Sequence, residues 1–204
     1  MIKRMDMMDM TGKNVQLSQQ IQLLHEILQE NRPLYRVIEE SQALNLPAYY
    51  IGAGCIAQSV WNYQNGNPLL SGINDIDFVY FDCDFSLESE SKVIHEIESR
   101  FSDCPLKIDI KNQARVHLWY RDHFGYDIIP YDSIESAINT WPTTATSVGV
   151  RLKDNQLQVY APFGLNDLFS QIVRPNKAQV TEEIYNKKVY KWVQTWPSLT
   201  ITSW

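Results

Sequence analysis

Cysteine is scarce: Cys55, Cys83 and Cys104 are the only three in 204 residues, an odd number without CxxC spacing. Such a set supports neither a disulfide framework nor a thiolate zinc site, so reduced thiols are expected. Long apolar runs are missing as well. The longest, Ala48 to Ala57, contains Gly52 and Gly54 and falls well short of the roughly 20 residues that span a bilayer. No membrane-spanning segment is expected. There is no internal repeat, low-complexity tract or glycine/serine linker, which disfavours a tandem array. Basic charge is short too, since 18 Lys and Arg face 24 Asp and Glu for a formal charge of −6. Residues 1–105 hold 7 basic and 15 acidic side chains, a net −8, whereas residues 106–204 hold 11 and 9, a net +2. Non-specific coating of nucleic acid, which needs a basic surface, is disfavoured, while a local anion site in the second half is allowed. Met1 to Lys13 carries acids and all five methionines and lacks an apolar signal core. It reads as a frayed tail rather than a targeting segment, with one domain over residues 14–204 in a cytoplasmic protein.

What is present is the composition of a folded chain, 44% hydrophobic and 12% aromatic, long enough to bury a sizeable core. Leu17, Ile21, Leu24 and Leu28 recur at helical spacing, and a second helix from about Leu34, with Val37 and Ile38 inward, stops before Pro47. Tyr49 to Gly52 reads as a short buried strand running through Gly52-Ala53-Gly54-Cys55 into a helix with Ile56, Val60 and Tyr63 on one face, ended by Asn65-Gly66. Asn74 to Asp82 is strand-like, and Ile94, Ile97 and Phe101 mark the next helix. Leu106 to Ile110 and Ala114 to Tyr120 read as two strands, joined at Lys111-Asn112-Gln113 in an antiparallel hairpin. Asp132 and Glu135 read as a capping pair, Asn166-Asp167 as another helix start, and a last helix with Tyr185, Val189, Trp192 and Val193 inward ends at Pro197. The expected class is α+β, a small mixed sheet packed against helices with helical additions at both ends.

The chemistry is carried by a glycine turn between strand and helix, then Asp75-Ile76-Asp77 on the next strand and Asp109 on the one after. Side chains alternate across a strand, so Asp75 and Asp77 share one face and Asp109 can join them from its neighbour. Two Mg²⁺ or Mn²⁺ ions need hard, anionic oxygen ligands from more than one strand, with positions left open for substrate phosphates. Small residues at Gly52, Gly54 and Cys55 let backbone N–H groups at a helix start approach a triphosphate. If the hairpin turns at Asn112-Gln113, Arg115 and His117 fall on the side of Asp109, the first to hold a phosphate by paired hydrogen bonds and the second to shuttle a proton or brace the acid. Arg151, Arg174, Lys177 and Lys187 are further candidates for phosphate or acceptor contact that spacing does not rank.

Together, the glycine turn, Asp-x-Asp and distant third acid resemble the nucleotidyltransferase superfamily of DNA polymerase beta type. Two departures are visible. Cys55 stands where that pattern has Gly or Ser, and 21 positions separate Gly54 from Asp75, an interval longer than usual that a loop through Asn65 to Ile73 accounts for. A closer resemblance, over about Tyr49 to Pro197, is to a bacterial family of nucleotidyltransferase proteins. It is carried by Ala53-Gly54 with Val60-Trp61, by Asp75-Ile76-Asp77 with Val79-Tyr80-Phe81-Asp82, by Lys111 to Tyr120, by Pro142 to Thr146 with Val148 to Arg151, by Ala161 to Leu165 with Asp167-Leu168-Phe169, and by Arg174-Pro175-Asn176. The resemblance implies the fold and metal-dependent transfer of a nucleoside monophosphate from an NTP to an acceptor hydroxyl. Asp75, Asp77 and Asp109 would be catalytic and metal-binding, and the acceptor is a small molecule, a protein or RNA. Two rivals use the same residues: a non-catalytic nucleotide-binding or protein-interaction module, and a two-metal phosphohydrolase. The bland readings give Asp82 and Asp84 to loop caps, Trp61, Trp119, Trp141 and Trp192 to core or groove wall, and Lys187, Lys188 and Lys191 to a wet helix face.

Overall fold

The computed structural model describes residues 12–204. The tail expected over residues 1–13 lies outside the described residues, save its last two. Of these, Gly12 is buried and its carbonyl accepts a hydrogen bond from Gln20 Nε2 at 2.8 Å.

Two helices lead in, α1 (Leu17–Glu30) and α2 (Arg32–Glu40), the second continued by a 3₁₀ turn over Ser41–Leu44. They are followed by β1 (Tyr49–Gly52), α3 (Gly54–Asn65), β2 (Asp75–Tyr80), α4 (Leu87–Arg100) and β3 (Lys107–Asn112). A 3₁₀ helix over Gln113–Leu118 runs into α5 (Tyr120–Phe124), and α6 (Ile134–Ile138) precedes β4 (Gly149–Lys153) and β5 (Gln156–Tyr160). After α7 (Asn166–Phe169) and β6 (Ile172–Val173), α8 (Glu182–Thr195) leads to β7 (Thr200–Ile201), which pairs with β6. The main sheet has the order β3-β2-β1-β4-β5. Only β2 and β3 run parallel; β1 is antiparallel to both β2 and β4, and β4 to β5. This is the α+β arrangement expected.

The strand alternation sorts the sheet into two faces. Tyr49, Ile51, Ile76, Phe78, Tyr80, Val150 and Leu152 join the main core. Leu24 and Leu28 of α1, Ile38 of α2, Val60 and Trp61 of α3, Ile97 of α4, and Tyr185 and Val189 of α8 belong to the same core. On the other face Tyr50 and Val79 meet Ile134 and Ile138 of α6 in a second, smaller cluster. Beyond that cluster the face is polar.

Two expectations are corrected. Ala114 to Tyr120 is not the second strand of a hairpin. The Asn112 side chain accepts from the N–H of Ala114 and of Asp82, each at 3.1 Å, and donates to the Asp82 carbonyl at 2.9 Å, so it caps a 3₁₀ helix where the hairpin was expected to turn. The capping pair of α6 is Ser133 with Ser136, whose hydroxyls reciprocate, and not Asp132 with Glu135. The loop from Asn65 to Ile73 is present as expected. Gly66 ends α3 in the left-handed conformation, and Asn62 Nδ2 holds the carbonyls of Leu69 and Ser71 at 3.0 and 2.8 Å. Asp82 and Asp84 are loop caps, each accepting a backbone N–H two residues on at 2.9 Å. Among the described residues no helix is long and apolar enough to cross a membrane, and all three cysteines are free.

Candidate active site

The register builds the site. Gly52 lies opposite Asp77 on β2 and opposite Gly149 on β4, and Asp77 lies beside Asp109 on the parallel strand β3. Asp75, Asp77 and Asp109 therefore share the polar face, at the end of β1 where the chain turns into α3. Asp75 is exposed and Asp77 half-buried. Burial, then the negative charges of Asp75 and Asp109, push the Asp77 carboxyl up from 3.8 to about 7, against the pull of Lys111 and Lys188. The Asp109 carboxylate is ion-paired with Lys111, two residues along the same strand.

The turn itself is tightly constrained. A Cβ on Gly52 would sit 2.6 Å from the Val148 carbonyl oxygen and 2.7 Å from Trp141 Cη2, so only glycine lets that indole lie against the strand. Ala53, the N-cap of α3, adopts φ 59° and ψ −129°, a region that L residues rarely occupy and that costs of order 1–3 kcal/mol. Its N–H donates to the Val148 carbonyl at 2.9 Å. Gly54 is different, since a Cβ there would meet only the Gln58 side chain, at 3.3 Å. Gly54 and Cys55 are thus the first residues of a twelve-residue helix, whose N–H groups have no partner within the helix. The Cys55 thiol itself is buried. It donates to the Gly52 carbonyl at 3.0 Å, and burial followed by the negative charge of Asp77 raises its pKa.

Arg115 and His117, expected on the side of Asp109, and Arg151, which spacing does not rank, have neighbours of their own. Arg115 is buried in the 3₁₀ helix, ion-paired with Glu90 of α4 at 3.0 Å and bonded to the Phe85 carbonyl, so its guanidinium braces α4. His117 stands edge-on to Phe85 with ring centroids 6.2 Å apart, its Nδ1 buried without a partner. Arg151 lies over the Tyr50 ring at 5.1 Å and donates to Gln158 Oε1 at 2.9 Å.

Other residues fill the space. Beside the acids a cavity of about 400 Å³ is lined by Ala53, Asp77, Lys111, Trp119, Trp141 and Lys188, among others. Lys111 carried a signal in the sequence, since strand alternation puts it on the face of Asp109. Lys188 carried none. It sits 111 residues after Asp77 in sequence, and only the packing of α8 brings its charge near that carboxylate.

The donor set fits a divalent cation in kind: three hard carboxylates on adjacent strands of one face, the central one pushed up by burial and then by its acidic neighbours. Among the described residues, no group of three or more Asp, Glu, His or Cys side chains stands already gathered around a metal position.

Comparison with known proteins bears on the fold and the family. No curated protein sequence matches the chain. A solved NMR structure described as a CCA-adding enzyme head domain is similar in fold, with a TM-score of 0.73 at 25% sequence identity over 90% of this chain and 96% of that one. A family model described as nucleotidyltransferase matches residues 39–201, which takes in the glycine turn, all three acids and the cavity wall. The chain therefore belongs to the nucleotidyltransferase family.

Proposed function

We propose that the protein transfers a nucleoside monophosphate from an NTP to an acceptor hydroxyl and releases pyrophosphate, with residues 14–204 acting as one domain. The observation that carries this reading is the register of Gly52 with Asp77 and of Asp77 with Asp109, which brings a helix start and three carboxylates to one end of one face. The N–H groups at Gly54 and Cys55 hold the β- and γ-phosphates, since a helix N-terminus presents unpaired donors and a positive dipole end. Lys111 and Lys188 add positive charge from two sides. Asp75 and Asp77 would hold both Mg²⁺ or Mn²⁺ ions and Asp109 would complete one of them; bound there, the metals neutralise phosphate charge and make the acceptor hydroxyl more acidic.

The acceptor oxygen attacks the α-phosphorus, the bond from that phosphorus to the bridging oxygen breaks, and the electron pair leaves with pyrophosphate. The hydroxyl proton passes to the Asp109 carboxylate, for which Lys111 must first release it. Catalysis is then mainly positioning and charge stabilisation. The Cys55 thiol takes no part, because it is buried and un-ionised.

The test is transfer of labelled nucleotide, with pyrophosphate release measured in parallel, for wild type and Asp77→Asn. Loss of at least about a hundredfold in rate with retained circular dichroism is expected, the scale for removing one electrostatic group. Full activity in Asp77→Asn ends the assignment. Binding of NTP without pyrophosphate release would favour the non-catalytic reading, and release of a monophosphate to water the hydrolytic one.

A further inference from the structure

Four of the six tryptophans form two unlike pairs. Trp61 and Trp196 are fully buried and each donates its indole N–H, to the Leu168 carbonyl at 3.2 Å and to Asn62 Oδ1 at 2.8 Å. Such pairing is the rule for a tryptophan that serves the core. Trp119 and Trp141 are only half-buried, both line the cavity beside Asp77, and neither donates its indole N–H to any of the described residues. Their positions are nevertheless fixed. Trp141 lies against Gly52, whose missing side chain makes room for it. Trp119 stacks on Tyr120 with ring centroids 6.2 Å apart and meets His123 edge-on at 6.3 Å. Tyr120 is tied down in turn through Tyr126, whose hydroxyl donates to the Gln179 carbonyl at 2.9 Å.

A rigid aromatic wall with unused indole donors, opening beside the helix cap Ala53 and the carboxylate of Asp77, is a surface built for a flat ring. The two lysines at its margin, Lys111 and Lys188, suit a ring that carries phosphate. We infer that this cavity receives the nucleobase of the NTP, with Trp119 as the stacking ring and Trp141 as the wall that joins the base slot to the phosphate turn. The inference rests on the nucleotidyl-transfer reading and adds which residues bind the base. A volume of about 400 Å³ falls within the range of small-molecule sites and admits one ring system with part of its sugar.

The experiment separates the base from the phosphates. Calorimetric affinities are measured in Mg²⁺ for the four NTPs and for inorganic tripolyphosphate, on the full-length wild type, Trp119→Leu and Trp119→Phe. In the wild type at least one NTP binds more tightly than tripolyphosphate. Trp119→Leu lowers NTP affinity ten- to hundredfold, the range for loss of one stacking ring, and leaves tripolyphosphate affinity unchanged, while Trp119→Phe recovers most of the loss. Equal NTP affinities in the Leu and Phe variants, with tripolyphosphate binding intact in both, overturn the base slot and leave the phosphotransfer reading standing. A wild type that binds neither NTP nor tripolyphosphate overturns the phosphotransfer reading and the slot with it.

Discussion

The two faces of the main sheet differ in what holds them. On one, Ile51, Ile76, Phe78 and Tyr80 are buried beneath helices in a continuous core. On the other, the alternating strand positions include Gly52, Asp75, Asp77 and Asp109, and the cover is partial. The first face stabilises the fold by removing apolar area from water, at about 25 cal/mol per Å². The second works against it, because three carboxylates on adjacent strands repel and one is partly desolvated. That arrangement persists because the core carries it, and it leaves a concentration of negative charge that a bound cation would relieve. Stability and chemistry are thus separated by the period-2 alternation of a few strands.

The separation can be broken from either side. Trp61→Ala, on the core face, removes a fully buried ring and the hydrogen bond to Leu168. It is expected to cost about 3–5 kcal/mol, read from the urea midpoint, with no change in NTP affinity for the molecules that remain folded. The two glycines of the turn sharpen the contrast. Gly52→Ala drives a Cβ into Val148 and Trp141 and should destabilise by about 1–3 kcal/mol, as overpacking does. Gly54→Ala has room and should change stability by no more than about 0.5 kcal/mol. It crowds the helix start instead, and should weaken NTP binding about tenfold, the equivalent of roughly 1.4 kcal/mol. Equal effects of the two substitutions on stability would remove the distinction.

A further contrast appears with pH. Because the Asp77 carboxyl is raised from 3.8 to about 7, between about pH 4 and 7 the folded chain retains a proton that the unfolded chain has released. By linkage this group makes the metal-free protein less stable as pH rises through that window. Asp77→Asn should therefore be more stable than wild type at pH 8, with the gap closing by pH 4. Added Mg²⁺ should narrow it at pH 8 by stabilising the wild type alone. Melting curves of the two proteins measure this, and parallel pH profiles would contradict it.

Much of this architecture was legible in the sequence. Tyr49–Gly52, the following helix with its Gly66 stop, and the shared face of Asp75 and Asp77 follow from local pattern, since period 2, period 3.6 and a glycine C-cap are properties of contiguous residues. The segment after Asp109 departs from its strand-like pattern for a physical reason. Val116, Leu118, Trp119 and Tyr120 favour strands, but Asn112 caps a 3₁₀ helix and Arg115 finds Glu90 on α4, and tertiary partners override β propensity. Arg115 and His117 thereby left the neighbourhood expected of them. Lys188 has the local pattern of a wet helix face because nothing local to α8 announces Asp77, and the contact of Trp141 with Gly52 spans nearly ninety residues and leaves no local trace.

The central claim is that the acids and the glycine turn form one metal-dependent nucleotide site. Its most direct test is calorimetric titration of each NTP, with and without Mg²⁺ or Mn²⁺, into wild type and an Asp75→Asn/Asp77→Asn double variant. The account predicts binding that requires metal in the wild type and is lost in a variant that remains folded. NTP binding of equal affinity in both proteins, or none to the wild type in the presence of either metal, would contradict it.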